Sequence, residues 1–113
     1  RIAVTRRAER IRLPIPATGE QTSYTFESLD YPLSDRRIGA YLAHFPQGGA
    51  PSQVHEHGAE ELIYVVSGHL TVTVDRQETM LEAGDAMSFD SSLPHSYRPD
   101  GEVECEALVV TVE

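Results

Sequence analysis

Apolar and polar residues alternate with a period of two along most of the chain. The segments TSYTFESL (22–29), IGAYLAHF (38–45), LIYVVS (62–67), LTVTV (70–74) and VECEALVVTV (103–112) alternate or run apolar, with many β-branched and aromatic residues. Such side chains suit a pleated surface with one face buried, so each segment is expected to be a strand. Turn signals separate them: YPLSD, PQGGAP, SGH, DRQ, EAGD, DSSLP and RPDG. They recur at roughly 8 to 12 residues, the spacing of a sandwich or barrel of short strands. The best helical candidate, RRAERIRL, is short and runs into Pro14. A frayed arm or an edge strand is an equal reading of it.

Composition narrows this to one domain, because 113 residues with 40% hydrophobic content support a single core. Nine basic residues against 18 acidic ones give a net charge of −9, which repels nucleic acid and anionic membranes. The average hides an asymmetry. All the basic residues are arginine, and Arg1, Arg6, Arg7, Arg10 and Arg12 crowd the start. We therefore expect an arginine-rich arm or linker over residues 1–20, followed by the β domain over 21–113. The arm reads as a solvated tail, a contact for a partner, or the end of a linker. No apolar run approaches the roughly 18 to 20 residues of a membrane helix, and no signal peptide is visible, so a cytoplasmic protein without membrane contact is expected. Cys105 is the single cysteine. It excludes an internal disulfide and a cysteine-based zinc cluster, and its alternating setting reads as a core thiol.

The chemistry concentrates in GAPSQVHEHGAEELIYVVSG, residues 49–68. Side chains at i and i+2 of an extended segment share a face, so His55 and His57 converge, with Gln53 in phase. Glu61 follows Gly58 and Ala59 at the head of a strand, and a tight turn there brings its carboxylate beside the rings. Two imidazoles and a carboxylate on one face make a site for iron, manganese, nickel, cobalt or zinc. His95, in GDAMSFDSSLPHSY, is the fourth candidate ligand. Against this stands the ordinary role of a strand histidine, a satisfied core or surface residue, which is how His44 and His69 are read. Glu56 and Glu60 fall out of phase and are expected to face solvent. No phosphate-binding glycine loop, nucleophile elbow or supported Cys–His pair competes.

These residues resemble a known family. Gly49, His55, His57, Glu61 and Gly68 match every defined position of the first cupin motif, G(X)5HXH(X)3,4E(X)6G. The second motif, G(X)5PXG(X)2H(X)3N, is matched at Gly84 and His95 and departs at Asp90, Ser92 and Pro99. The resemblance implies a small antiparallel jelly-roll barrel, all-β, with His55, His57, Glu61 and His95 holding a divalent metal inside its mouth. The order VTRRAERIRL, YTFESL, EELIYVVSGHLTVTV and LEAGDAMSFDSSLPHSYR is further similar to the C-terminal sensor half of bacterial regulators that join an XRE-type helix-turn-helix to a cupin domain. In that setting the basic segment follows the linker from the DNA-binding half, and the start at Arg1 rather than Met leads us to expect a preceding segment.

Two functions follow from the resemblance. One is an effector-sensing domain that touches DNA only through a domain preceding it. The other is a metal-dependent dioxygenase, isomerase or lyase acting on a small molecule. Neither assigns a catalytic acid or base. Gln53 and Tyr97, which is two residues from His95, are the expected pocket residues, with Tyr41 and Phe89 among the aromatic residues that set its shape. A homodimer is expected in either case, since a domain of this size gains from burying apolar strand surface.

Overall fold

The computed structural model describes residues 2–13, 24–32 and 37–112. Among them run β1 (Arg12–Leu13), β2 (Thr25–Ser28), β3 (Ile38–Phe45), β4 (Glu60–Ser67), β5 (His69–Val74), β6 (Gln77–Glu82), β7 (Ala86–Asp90), β8 (His95–Pro99) and β9 (Cys105–Val112). Every paired neighbour is antiparallel. One sheet has the order β1-β2-β3-β9-β4-β7 and the other the order β6-β5-β8. Together they form a jelly-roll-like sandwich whose sheets do not close into one continuous ladder among the described residues.

The expected strands at 38–45, 62–67 and 70–74 fall in β3, β4 and β5, and β9 takes up the last one from Cys105 onward. β2 holds half of 22–29, of which residues 22 and 23 lie outside the described residues. The expected boundary between residues 20 and 21 lies outside them too. RRAERIRL forms a short 3-10 turn over Arg7–Glu9 and then β1, whose Arg12 and Leu13 pair with Glu27 and Phe26. It is therefore an edge strand at its C-terminal end.

Alternation decides what lies between the sheets. In β4, Glu61, Ile63 and Val65 are buried while Glu60, Leu62, Tyr64 and Val66 are exposed. Ala43 and Phe45 of β3, Leu70 and Val72 of β5, Leu81 of β6, Tyr97 of β8, and Cys105 and Ala107 of β9 complete the core with Ile63 and Val65. Burial pushes the Cys105 thiol up to about 11, the acidic Glu106 adding to it, which keeps it an inert core thiol. Gly68 joins β4 to β5 at φ +80, where an added Cβ would stand 2.3 Å from the Glu104 carbonyl oxygen. Only glycine fits that approach. His69 pairs with Asp100 at 3.0 Å on the surface.

Candidate metal centre

Three chain segments meet at one buried point. Glu61 is the first inward position of β4 and is 2% exposed; His95 opens β8 and is 1% exposed. His57 lies in the segment before β4, which hydrogen bonds tie to the strands around it. The His55 and His95 backbones exchange bonds of 2.7 and 3.0 Å, the His57 N–H donates to the Ser91 carbonyl at 2.9 Å, and the Ala59 N–H donates to the Val112 carbonyl at 2.9 Å. Gly58, at φ +51, turns the chain between them.

The result is a triangle of donors. His57 Nε2 stands 3.2 Å from Glu61 Oε1 and 3.2 Å from His95 Nε2, and His95 Nε2 stands 3.7 Å from Glu61 Oε1. An ion at about 2.0 to 2.2 Å from each donor holds neighbouring donors roughly 3 to 3.5 Å apart, a spacing that the two 3.2 Å separations match and the 3.7 Å one exceeds slightly. The chemistry fits as well. His95 Nδ1 faces the Leu93 carbonyl at 2.9 Å and can only donate to it, which leaves the Nε2 lone pair turned to the centre. Among the described residues, the ion-pair partners of Glu61 are these two histidines alone.

The buried carboxyl is correspondingly uncomfortable. Burial raises its pKa above the ordinary carboxylate value, and the Tyr97 hydrogen bond and the His95 charge offset this only in part. Tyr97 donates its hydroxyl to Glu61 Oε2 at 2.5 Å. Burial and the Glu61 charge push the Tyr97 phenol well above its usual value, so it remains the donor of that bond.

A cavity of about 220 Å³ opens beside the triangle, lined by His55, His57, Glu61 and Tyr97 and walled by Tyr24, Phe26, Tyr41, Ala43, Phe45, Val109 and Thr111. Tyr24 stacks on Phe45 with ring centroids 5.1 Å apart. Of the residues singled out from sequence, His57, Glu61 and His95 come together, and Tyr41 and Tyr97 line the cavity. His55 lines it but stands outside the donor triangle, its Nε2 3.5 Å from the Tyr24 hydroxyl. Burial, then the charges of His95 and His57, lower the His55 pKa.

Two of the expected pocket residues lie outside the lining of this cavity. Gln53 is exposed and absent from the lining, because the segment before His55 is not a strand and the two-residue phase does not carry back through it. Phe89 packs its ring against His95 at 5.0 Å and on the core instead of lining the cavity. Sequence reasoning missed Tyr24, Phe26 and Thr111. Phe26 sits on β2 and pairs with Ala43, and Tyr24 immediately precedes that strand, two residues before Phe26. Glu56 and Glu60 face solvent.

Solved structures share this architecture. An HTH_3 family transcriptional regulator from Vibrio cholerae aligns with TM-score 0.68 and 22% identity over 80% of this chain and 51% of its own. The Cupin_2 domain of an XRE family transcriptional regulator from Enterobacter cloacae aligns with TM-score 0.66 and 21% identity over 81% of this chain and 98% of its own. FeII HppE aligns with TM-score 0.75 and 15% identity over 97% of this chain and 60% of its own. At these identities the likeness is one of fold. A search of curated proteins returned no match. A family model for the cupin domain, however, matches residues 41–111, a stretch that runs from within β3 through most of β9 and holds the donor triangle and most of the cavity wall, and by that match the chain belongs to the cupin family.

Proposed function

We propose that this domain binds a divalent metal and a small molecule, and that it is the effector-sensing part of a bacterial XRE-family transcriptional regulator. The observation that carries the binding part is the cavity of about 220 Å³ set against the His57–Glu61–His95 triangle. Its aromatic and aliphatic wall accepts the apolar body of a ligand, and His55, His57 and Glu61 supply polar groups to it. His57, Glu61 and His95 hold the metal, with His55 the expected fourth donor. When bound, the metal supplies Lewis acidity and an open position for a ligand oxygen or nitrogen. Tyr97 holds the Glu61 carboxylate in place, and Tyr24 and Tyr41 line the cavity.

Support for the regulator reading is the basic N-terminal segment, which is joined to the sheet through β1, so a ligand that moves β2 or β3 moves the segment as well. DNA contact belongs to a preceding domain, since a net charge of −9 does not favour it here. The reading places the protein in the cytoplasm; no helix among the described residues is long and apolar enough to cross a membrane. Leu62, Tyr64 and Val66 stand exposed on the outer face of β4, and pairing there is our proposal for a homodimer. The reading frame upstream of Arg1 tests the proposal. A helix-turn-helix of roughly 60 to 80 residues is expected; a start codon a few positions upstream overturns it.

A second reading is a metal-dependent dioxygenase, isomerase or lyase, favoured by the His57–Glu61–His95 group, two of whose members line the cavity. Metal-dependent turnover on a panel of small acids, amino acids and phenols supports it. Absence of turnover across the panel in metal-loaded protein counts against it.

A further inference from the structure

A second cavity, of about 480 Å³, lies on the other face of the six-stranded sheet. Phe26 and Ala43 point to the first cavity, so their neighbours Glu27 and His44 point away from it, and with Glu106 they form the floor of the second. Thr5, Arg7, Arg10 and Arg12 form the opposite wall.

The acids on the floor are already engaged. Glu27 Oε2 is 3.1 Å from Arg10 Nε, and Glu27 Oε1 is 3.3 Å from Arg12 Nη2 and 2.6 Å from His44 Nε2. His44 Nδ1 lies 3.4 Å from Glu106 Oε1. Donors remain over. Arg7 has no carboxylate partner among the described residues, Thr5 Oγ1 is buried without a hydrogen bond, and Arg10 Nε is buried beside Glu27 without hydrogen-bond alignment. Three guanidinium groups, each with five N–H donors, thus face two carboxylates in a chain whose overall charge is −9. A buried hydroxyl and a buried N–H left unsatisfied are costly, and an oxyanion seated there satisfies both.

We propose that this cavity binds the oxyanion group, carboxylate or phosphate, of a small molecule, held by Arg7, Arg10 and Arg12 with the Thr5 hydroxyl as a further donor. The planar guanidinium fork suits both groups, and the cavity volume admits a small organic anion. The site is independent of the metal centre and of either function proposed above. Because it joins the N-terminal segment to β2, β3 and β9, occupancy fastens that segment to the sheet.

Arginine Nε–H correlation spectra of the intact protein, titrated with inorganic phosphate or with succinate at constant ionic strength, test this. Saturable shifts at Arg7 and Arg10 are expected with at least one of the two. Saturation by phosphate alone assigns the site to phosphate groups, and by succinate alone to carboxylates. Arg7→Ala, at an exposed residue with no carboxylate partner among the described residues, is expected to keep the fold and weaken binding about tenfold, and Thr5→Val to weaken it severalfold. Shifts that grow linearly and match those of added chloride overturn the proposal, as does unchanged affinity in Arg7→Ala.

Discussion

The Nε2 atoms of His57 and His95 stand 3.2 Å apart although 38 positions separate the residues. Two ring nitrogens that close need a proton or a cation between them. His95 spends its own N–H on the Leu93 carbonyl, so in metal-free protein His57 Nε2 must supply the proton, and a metal replaces it. Long-range nitrogen–proton correlation spectra of metal-free protein are expected to show His95 as the Nδ1–H tautomer, with metal removing the proton from His57 Nε2. A His95 ring protonated at Nε2 alone contradicts this account of the site.

Tyr97→Phe keeps the ring that packs against Tyr24, Phe45 and His95 and removes the hydroxyl that holds Glu61. A buried carboxylate oxygen then loses its donor, at a cost of about 1 to 3 kcal/mol in denaturant unfolding. Metal affinity is expected to fall at least about tenfold, as when other groups orienting a ligand are removed. Equal metal affinity in the variant and the parent would show that Tyr97 serves packing alone.

Glu27 predicts an acid limb of stability. Burial alone raises its pKa, but the hydrogen bonds from His44 and Arg12 and the charge of Arg10 outweigh it and hold the carboxyl below 4.5. A depressed carboxyl stabilises the fold fully above its unfolded value of 4.5, and the contribution is lost as pH falls through the lower folded value. Thermal unfolding followed from pH 7 downward is expected to fall less steeply in Glu27→Gln than in the parent below about pH 4.5. Parallel curves would contradict the ion-pair network.

Gly68 and Gly84 both have positive φ, +80 and +93, but only Gly68 has backbone in the way of a side chain. Gly84→Ala carries the left-handed penalty alone, about 1 kcal/mol, whereas Gly68→Ala adds a collision with the Glu104 carbonyl and is expected to cost well over 2 kcal/mol. Melting temperatures of the two variants read the difference directly. Similar losses would mean that β4 and β9 part easily at that corner.

What the sequence disclosed follows from the range of the interactions. His57 and Glu61 are four positions apart on either side of a glycine turn, so local spacing suffices to bring them together, and His95 emerged from a motif. Tyr24 did not, since it reaches His55 through the β2–β3 pairing, which the sequence does not write down. β6 and β7 were legible only as the turns beside them. In QETMLE and AMSFD most positions are exposed, which leaves little apolar alternation to detect. Gln53 lies outside the cavity lining for the opposite reason: the two-residue phase does not hold in a segment without strand geometry. The basic segment announced its charge, but not that Glu27 and His44 would wait for it on the outer face of the sheet.

The central claim is a metal bound by His57, Glu61 and His95, and metal analysis of the purified intact protein tests it most directly. Near one divalent ion per chain is expected after incubation with metal and desalting. Glu61→Gln and His95→Ala are expected to lose it, and His55→Ala to retain it more weakly. No bound ion in the parent, or an undiminished content in Glu61→Gln and His95→Ala, would contradict the assignment.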